Sequence, residues 1–259
     1  MTRRAVVTGA SSGIGEAVAR TLRGSGWEVV GVARRADRLE KLAAETGAEA
    51  FAADLTRQAD IDALAEFTAQ RPLHALVHVA GGALGTDRVE DGDSDGWLRM
   101  YEMNTLSAQR LVKALLPQLR STAAAGSTHA DALFVTSTAA QVAYPGGGGY
   151  NAAKAGEAML VAALRQELLG EPIRVVEIAP GMVRTEEFAL TRLGGDKSAA
   201  DAVYAGVESP LTADDVADVI AYSLNAPGHV NLDLVTLRPV AQAAQHLVHR
   251  GPLAVHGTD

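Results

Sequence analysis

Short apolar runs alternate along this chain with longer stretches in which apolar positions recur three and four residues apart. The runs cover 4–8, 28–33, 49–53, 75–80, 132–137, 174–179 and 232–237, each of strand length and almost free of polar interruption. Strands that read as continuously hydrophobic are covered on both faces, as in a parallel sheet held between two helical layers. The intervening stretches, such as 14–22, and 37–45 with Leu39 and Leu42 inward, carry the one-sided pattern of helices. The expected fold is therefore α/β, one doubly wound parallel sheet with helices on both faces. No repeat of about 20 to 50 residues is present. No Pro/Ser-rich linker divides the chain, so 1–250 reads as one domain and 251–259 as a tail. Two segments break the pattern. Residues 121–131 are polar and alanine-rich, and the mixed stretch 186–209 suits a substrate flap, which we place at about 184–209.

Composition narrows the classes. A chain of 259 residues with 47% hydrophobic content can build a sizeable core. Its apolar runs fall far short of a membrane span, and the first ten positions lead into a strand and not a signal peptide, so a cytoplasmic location is expected. The absence of cysteine excludes disulfides and thiolate metal sites. A net charge of -8 disfavours a nucleic-acid or anionic-membrane partner. The one dense basic cluster is Arg34, Arg35 and Arg38.

Two constellations carry chemistry. In "VVTGASSGIGEAVA", Gly9, Gly13 and Gly15 lie between the first strand and first helix, with Ser11, Ser12 and Ile14 among them. There a backbone can turn tightly and bring a pyrophosphate to a helix N-terminus. Arg34 and Arg35 follow the second strand, where a cofactor with a free ribose 2′-hydroxyl calls for an acid. Guanidinium groups favour a 2′-phosphate, hence NADP over NAD. Asp54 and Leu55, after the third strand, are candidates for the adenine edge. The second constellation pairs Tyr150 with Lys154 one helical turn on, where an ammonium favours the phenolate and lowers the tyrosine pKa. Taken alone, that spacing is an ordinary helix face. Ser137 ends the preceding strand at the ligand-binding edge of the sheet, and Asn104 sits inside a helix, where asparagine is disfavoured unless its side chain has a partner.

Together these residues resemble the short-chain dehydrogenase/reductase family, over almost the whole chain. The motifs are "TGASSGIG", Asn104, Ser137 thirteen residues before Tyr150, "YNAAK" and "PGMVRT". The resemblance implies a Rossmann-like fold and NADP as cofactor. It implies Tyr150 as catalytic acid/base, Lys154 as the residue that lowers its pKa and binds the nicotinamide ribose, and Ser137 as the carbonyl polariser. Asn104 would support a proton-relay water, and Pro180, Gly181, Val183 and Thr185 would lie along the nicotinamide. The family's Asn-Asn-Ala-Gly turn is replaced by "HVAGG", which keeps small residues at Ala80 and Gly81 beside the adenosine ribose. Adjusted sheet hydrogen bonding, with activity retained, is the expectation.

Within the family the likeness is to NADP-dependent 3-hydroxy acid (serine) dehydrogenases, with sulfoacetaldehyde reductases nearby. It rests on "STAAQVAYPGGGGYNAAK", "PGMVRTEEF" and "APGHVNLDLVTLRPVAQ". By that likeness Gln141, Tyr144, Arg184 and Arg192 are candidate pocket residues for a small-molecule substrate, the arginines gripping a carboxylate or sulfonate. The C-terminal segment would contact neighbours in a homotetramer. A 3-oxoacyl carrier-protein reductase and a catalytically idle NADP-binding regulator are the alternatives.

Other signals read as structural. Asp91, Asp93, Asp95, Gly96 and Glu102 have the spacing of a calcium-binding EF-hand loop. The glycine-rich stretch before them cannot supply the incoming helix, so Ser94 or Asp95 is read as the cap of the helix that carries Asn104. His246 and His249 read as a solvated tail and Glu186 and Glu187 as a helix start, and no metal site is expected.

Overall fold

Strands β1 (Arg4–Thr8), β2 (Glu28–Ala33), β3 (Glu49–Ala52), β4 (Ala75–His78), β5 (Ala130–Val135), β6 (Ile173–Pro180) and β7 (Leu234–Leu237) form one sheet in the computed structural model. It describes residues 2–126 and 129–255. The strand order is β3-β2-β1-β4-β5-β6-β7 and every pairing is parallel. The helices are α1 (Gly13–Gly24), α2 (Ala36–Thr46), α3 (Gln58–Thr68), α4 (Ser94–Tyr101), α5 (Ser107–Ala124), α6 (Gly148–Glu167), α7 (Phe188–Arg192), α8 (Lys197–Val203) and α9 (Ala213–Asn225). Val18, Leu22, Leu39, Val216 and Ile220 bury α1, α2 and α9 in one core. Ile61, Leu64, Leu111, Leu115 and Val161 bury α3, α5 and α6 in the other. This is the expected doubly wound fold, with its switch point between β1 and β4, where ligands bind in such sheets.

Several strand limits move, two of them for identifiable reasons. β5 starts at Ala130, ahead of the apolar run, because buried Asp131 pairs with Arg174 of β6 at 2.7 Å. β5 also ends earlier, at Val135, which leaves Ser137 in the loop beyond it. β4 stops at His78, since the N–H groups of Val79 and Ala80 donate to Thr8 Oγ1 (2.9 and 3.0 Å) and not to a strand. β7 begins at Leu234, two residues later than the run that marks it.

The segment 121–131 is shorter as a loop than its composition implies, because α5 continues to Ala124; residues 127 and 128 lie outside the described residues. The flap is folded: α7 and α8 share a small core of Ala189, Ala200 and Tyr204 with Met182, Leu190 and Leu193. After β7 the chain makes a hairpin, β8 (Gln242–Ala244) and β9 (Leu247–Val248). His246 and His249 belong to this hairpin and its exit, and His249 Nε2 meets the Pro252 carbonyl at 3.1 Å. The described part of the tail is docked, with Gly251 N–H donating to Gly206 O at 2.7 Å. Among the described residues no helix is long and apolar enough to cross a membrane.

Candidate active site

At the switch point, the glycine loop after β1 meets the loop after β4. Gly9 has φ +69, and a Cβ there would lie 3.1 Å from Ala80 N, so both conformation and contact call for glycine. Gly15 packs in the first turn of α1 against the Gly9 carbonyl. Across the cleft, the segment after β6 returns Thr185 to Gly13. Pro180 O lies 3.3 Å from Thr138 Oγ1, whose proton goes to Gln245 Oε1 at 2.8 Å, Gly181 is seated on Gln242, and Val183 bridges to Leu211.

A second anion seat adjoins this loop. Arg35 donates to Ser11 Oγ (2.9 Å), to Ser12 Oγ (2.9 Å) and to the Glu187 carboxylate (2.5 Å). Arg38 reaches the same carboxylate at 2.7 Å, and Ser12 Oγ donates to it at 3.0 Å. The hydrogen bond from Arg35 holds Glu187 below the usual carboxylate range. Glu187 does start a helix, as its sequence position implies, but its side chain spans the cleft. Arg34 is exposed, and its charge acts on Asp54. Asp54 Oδ1 accepts from Thr56 N–H (3.0 Å), and Leu55 is buried in the core.

Proton-transfer residues gather at the carboxyl ends of β5 and β6. Ser137 Oγ accepts from Ala139 N–H at 3.0 Å and directs its own proton at Pro180 O across 3.5 Å, a weak bond that is easily re-aimed. Tyr150 opens α6, buried, and its phenol is coupled to Ser137. Burial pushes that phenol above its ordinary range; the Lys154 charge and the Ser137 hydrogen bond oppose this without overcoming it. The lysine was expected to prevail, and in the protein alone desolvation wins. Lys154 is itself buried, its ammonium donating to Val135 O (3.1 Å) and to Glu157 Oε2 (2.7 Å).

Asn104 stands in a π turn (Glu102–Leu106) between α4 and α5. Its Nδ2 donates to Met100 O (2.7 Å) and Gly82 O (2.9 Å), while Oδ1 accepts from Gly82 N–H (3.1 Å). A Cβ on Gly81 would come within 2.5 Å of that Oδ1. The side chain thus pins the cofactor-side loop to the helix. Where the family turn has asparagines, His78 bonds Thr8 Oγ1 through Nδ1 at 3.0 Å.

A cavity of about 140 Å³ lies beside Tyr150, lined by Leu84, Trp97, Met100 and Gly149 and by two acids, Asp87 and Asp93. Phe188 of α7 packs edge-on to Tyr150 at 5.7 Å between ring centres. Arg192 lies over the Tyr150 ring at 5.7 Å and donates to Tyr144 Oη (2.9 Å), Gly146 O (3.0 Å) and Gly85 O (3.2 Å). The structure brings Arg192 and Tyr144 to the site. It does not bring Arg184, which is exposed over the Tyr204 ring at 5.1 Å, or Gln141, whose amide reaches Thr236 at 3.3 Å.

The acidic loop is resolved as a helix start. Asp93, one residue ahead of the expected cap, accepts from the N–H groups of Asp95 (3.2 Å) and Gly96 (2.9 Å), and Glu102 is paired with Arg110 at 3.3 Å. Sequence reasoning missed Asn151, whose Nδ2 donates to Ala139 O at 2.6 Å and ties the Ser137 loop to α6. It missed Glu157, Phe188 and Gln242 as well. Only Glu157 left a signal, an acid one turn from Lys154 on a face that otherwise reads as core.

The sequence profile of the family described as short chain dehydrogenase matches residues 3–193. The chain is 50% identical over 244 residues to an oxidoreductase of Mycobacterium tuberculosis, across 93% of each protein. It is 38% identical over 246 residues to serine 3-dehydrogenase of Agrobacterium fabrum, across 92% of this chain and 94% of that one. Its fold is similar to the closed form of a serine dehydrogenase complexed with NADP+, with TM-score 0.87 and 31% identity over 95% of this chain and 99% of that one.

Proposed function

Because the chain belongs to the short chain dehydrogenase family, we propose that it is an NADP(H)-dependent oxidoreductase that interconverts alcohol and carbonyl in a small 3-hydroxy acid such as serine or 3-hydroxypropionate. The donor set fits the cofactor: a glycine cradle at Gly9 faces Ala80, and Ser11, Ser12, Arg35 and Arg38 form a seat that already holds an anionic group. With NADP bound, its nicotinamide would supply or accept the hydride. Pro180, Gly181, Val183 and Thr185 line its side of the cleft.

In reduction, Ser137 Oγ turns its proton from Pro180 O to the substrate carbonyl oxygen, and Tyr150 Oη hydrogen-bonds the same atom. Tyr150 then gives its proton to that oxygen, with the Lys154 charge stabilising the phenolate left behind. In oxidation the proton returns to Tyr150. Asn104 keeps the loop at Ala80 and Gly81 in place during the exchange.

The observation that carries the substrate class is Arg192, a guanidinium over the Tyr150 ring beside a small cavity. With its acid group held by Arg192, a 3-hydroxy acid would present the hydroxyl-bearing carbon, one carbon removed from that group, toward Tyr150 and Ser137. A carrier-tethered acyl chain would instead have to pass Phe188 and Arg192. Exposed Val240, Leu247 and Val255 around the C-terminal hairpin support assembly through this region, consistent with a homotetramer, even though Gln242 and Gln245 are bonded within their own chain.

The test is NADP reduction with serine, 3-hydroxypropionate, 3-hydroxyisobutyrate and hydroxyethanesulfonate. Turnover of at least one is expected, and Tyr150→Phe should abolish it while keeping NADPH binding. Failure of all four alongside reduction of ketoesters would end the hydroxy-acid assignment.

A further inference from the structure

Lys154 brings a charge into the core, and the groups around it are ordered in a way the proton-transfer reaction alone does not require. Its ammonium has a carboxylate partner, Glu157 Oε2 at 2.7 Å, one turn further along α6. Glu157 is fully buried, and its other oxygen, Oε1, has no hydrogen-bond partner among the described residues. His78 Nε2, from β4, lies 3.9 Å from Oε1.

The hydrogen positions on His78 follow from its neighbours. Thr8 Oγ1 already accepts from the N–H groups of Val79 and Ala80. Its own proton therefore goes to His78 Nδ1 at 3.0 Å, which makes Nδ1 the acceptor and leaves the ring hydrogen on Nε2. Ser107 Oγ, 3.4 Å from Nε2, spends its proton on Met103 O at 2.8 Å and so can only accept from the ring. The ring N–H hydrogen-bonds the Asn104 backbone, with Ser107 Oγ 3.4 Å and Glu157 Oε1 3.9 Å from Nε2. His78 is held neutral, since burial and then the nearby Lys154 charge push it down to about 3.

We propose that Glu157 is a positioning residue for the proton-transfer site: its buried carboxylate is the counter-ion that keeps Lys154 charged and aimed. The inference rests on reading Tyr150 and Lys154 as the proton-transfer pair. A lysine in this interior without a counter-charge would lose its proton. Burial acts to lower Lys154, yet Glu157, with Tyr150 and Glu177, carries it above its ordinary value. Burial also raises Glu157, to about 7, against the pull of Lys154. The groups facing Glu157 are Lys154 and Tyr150 from α6, His78 from β4 and Glu177 from β6; Glu177 adds repulsion and is itself bonded by Thr136 Oγ1 at 2.6 Å.

The experiment is the pH profile of kcat for alcohol oxidation in the wild type, Glu157→Gln and Glu157→Asp. Deprotonation of Tyr150 makes the wild-type rate rise with pH and then level. In Glu157→Gln the lysine is expected to titrate within the profile, giving a descending limb above about pH 8 and a loss of about tenfold one unit beyond its midpoint. KM should change little, because Glu157 does not line the substrate cavity, and Glu157→Asp should restore the wild-type shape. A Glu157→Gln profile of wild-type shape, however much slower, overturns the proposal. Should the glutamine variant not fold, infrared spectroscopy of the wild type labelled with 13C-glutamate decides. No protonated glutamic acid band at pH 9 is the expected result, and a band persisting there overturns the proposal. If Tyr150→Phe retains turnover, the underlying reading fails instead; if Tyr150→Phe is dead and Glu157→Gln keeps its profile, only this inference fails.

Discussion

The carboxylate of Glu187 lies 2.5 Å from the guanidinium of Arg35, joining the flap to the loop that follows β2. Two cationic side chains and Ser12 converge on that one anionic group. A 2′-phosphate arriving at the same donors has to displace it. Glu187→Gln should therefore tighten NADPH binding by about threefold to fivefold, the worth of one partly exposed charge pair. Arg35→Ala should weaken NADPH about tenfold to a hundredfold and leave NADH nearly unchanged, since the free 2′-hydroxyl makes no comparable charged contact. Isothermal titration of both cofactors into both variants reads the difference.

Arg192 combines two roles that one substitution can separate. Its bonds to Gly85 O and Gly146 O strap α7 over the cavity, and its charge lies over Tyr150. Arg192→Gln keeps polar reach but removes the charge. For an acidic substrate kcat/KM should fall about tenfold to a hundredfold. Reduction of a neutral aldehyde of equal size should change far less, and steady-state kinetics with the two substrates checks it.

Asn104→Ala removes three hydrogen bonds and leaves the Gly82 N–H and C=O without them. The expected loss is about 1–3 kcal/mol of stability, read as a lower denaturation midpoint. NADPH affinity should fall with it, because Gly81 and Gly82 are released beside the cofactor seat.

His78 supplies a pH dependence whose sign is determined by its depressed pKa. In the folded protein it stays neutral down to about 3, while in the unfolded chain it takes up a proton below its ordinary 6.5. The unfolded state binds more protons in that window, so the stability contributed by neutral His78 is present above 6.5 and is lost as pH falls toward 3. Relative to His78→Asn, the wild type should lose about 1.4 kcal/mol for each pH unit between 6.5 and 4. Urea unfolding of both proteins across that range gives the slope; parallel curves would refute it.

The alternation of apolar runs and helical stretches was enough to place β1 and β2 at their observed limits, because strands buried on both faces leave no polar interruption to confuse the reading. Asn104, Ser137, Tyr150 and Lys154 were legible for a different reason: their types and spacing are demanded by chemistry at one sheet edge. What stayed hidden depends on contacts distant in sequence. Nothing local to Glu187 announces Arg35, 152 positions away. Nothing local to His78 announces Thr8, 70 positions away. Arg184 and Arg192 look equally suited to a carboxylate in the sequence, and only the docking of α7 distinguishes them. The acidic loop went to helix capping because Asp93 turns back onto its own backbone, a geometry that letter spacing does not encode.

Gln242, near the C-terminal end of the fold, seats its amide oxygen against Met182 N–H at 2.8 Å, while Gln245 accepts from Thr138 Oγ1 at 2.8 Å. During synthesis the glycine loop, Tyr150 and Lys154 all emerge from the ribosome before either glutamine exists. The sheet up to β6 can order itself first, as N-terminal segments do, but the backbone beside Pro180 and Gly181 gains its last partners only when the hairpin folds in. A chain cut short ahead of Gln242 would carry every residue of the proton-transfer set on an incompletely supported cleft. Completion of the cleft in this way waits on a hairpin that follows every residue of the proton-transfer set along the chain.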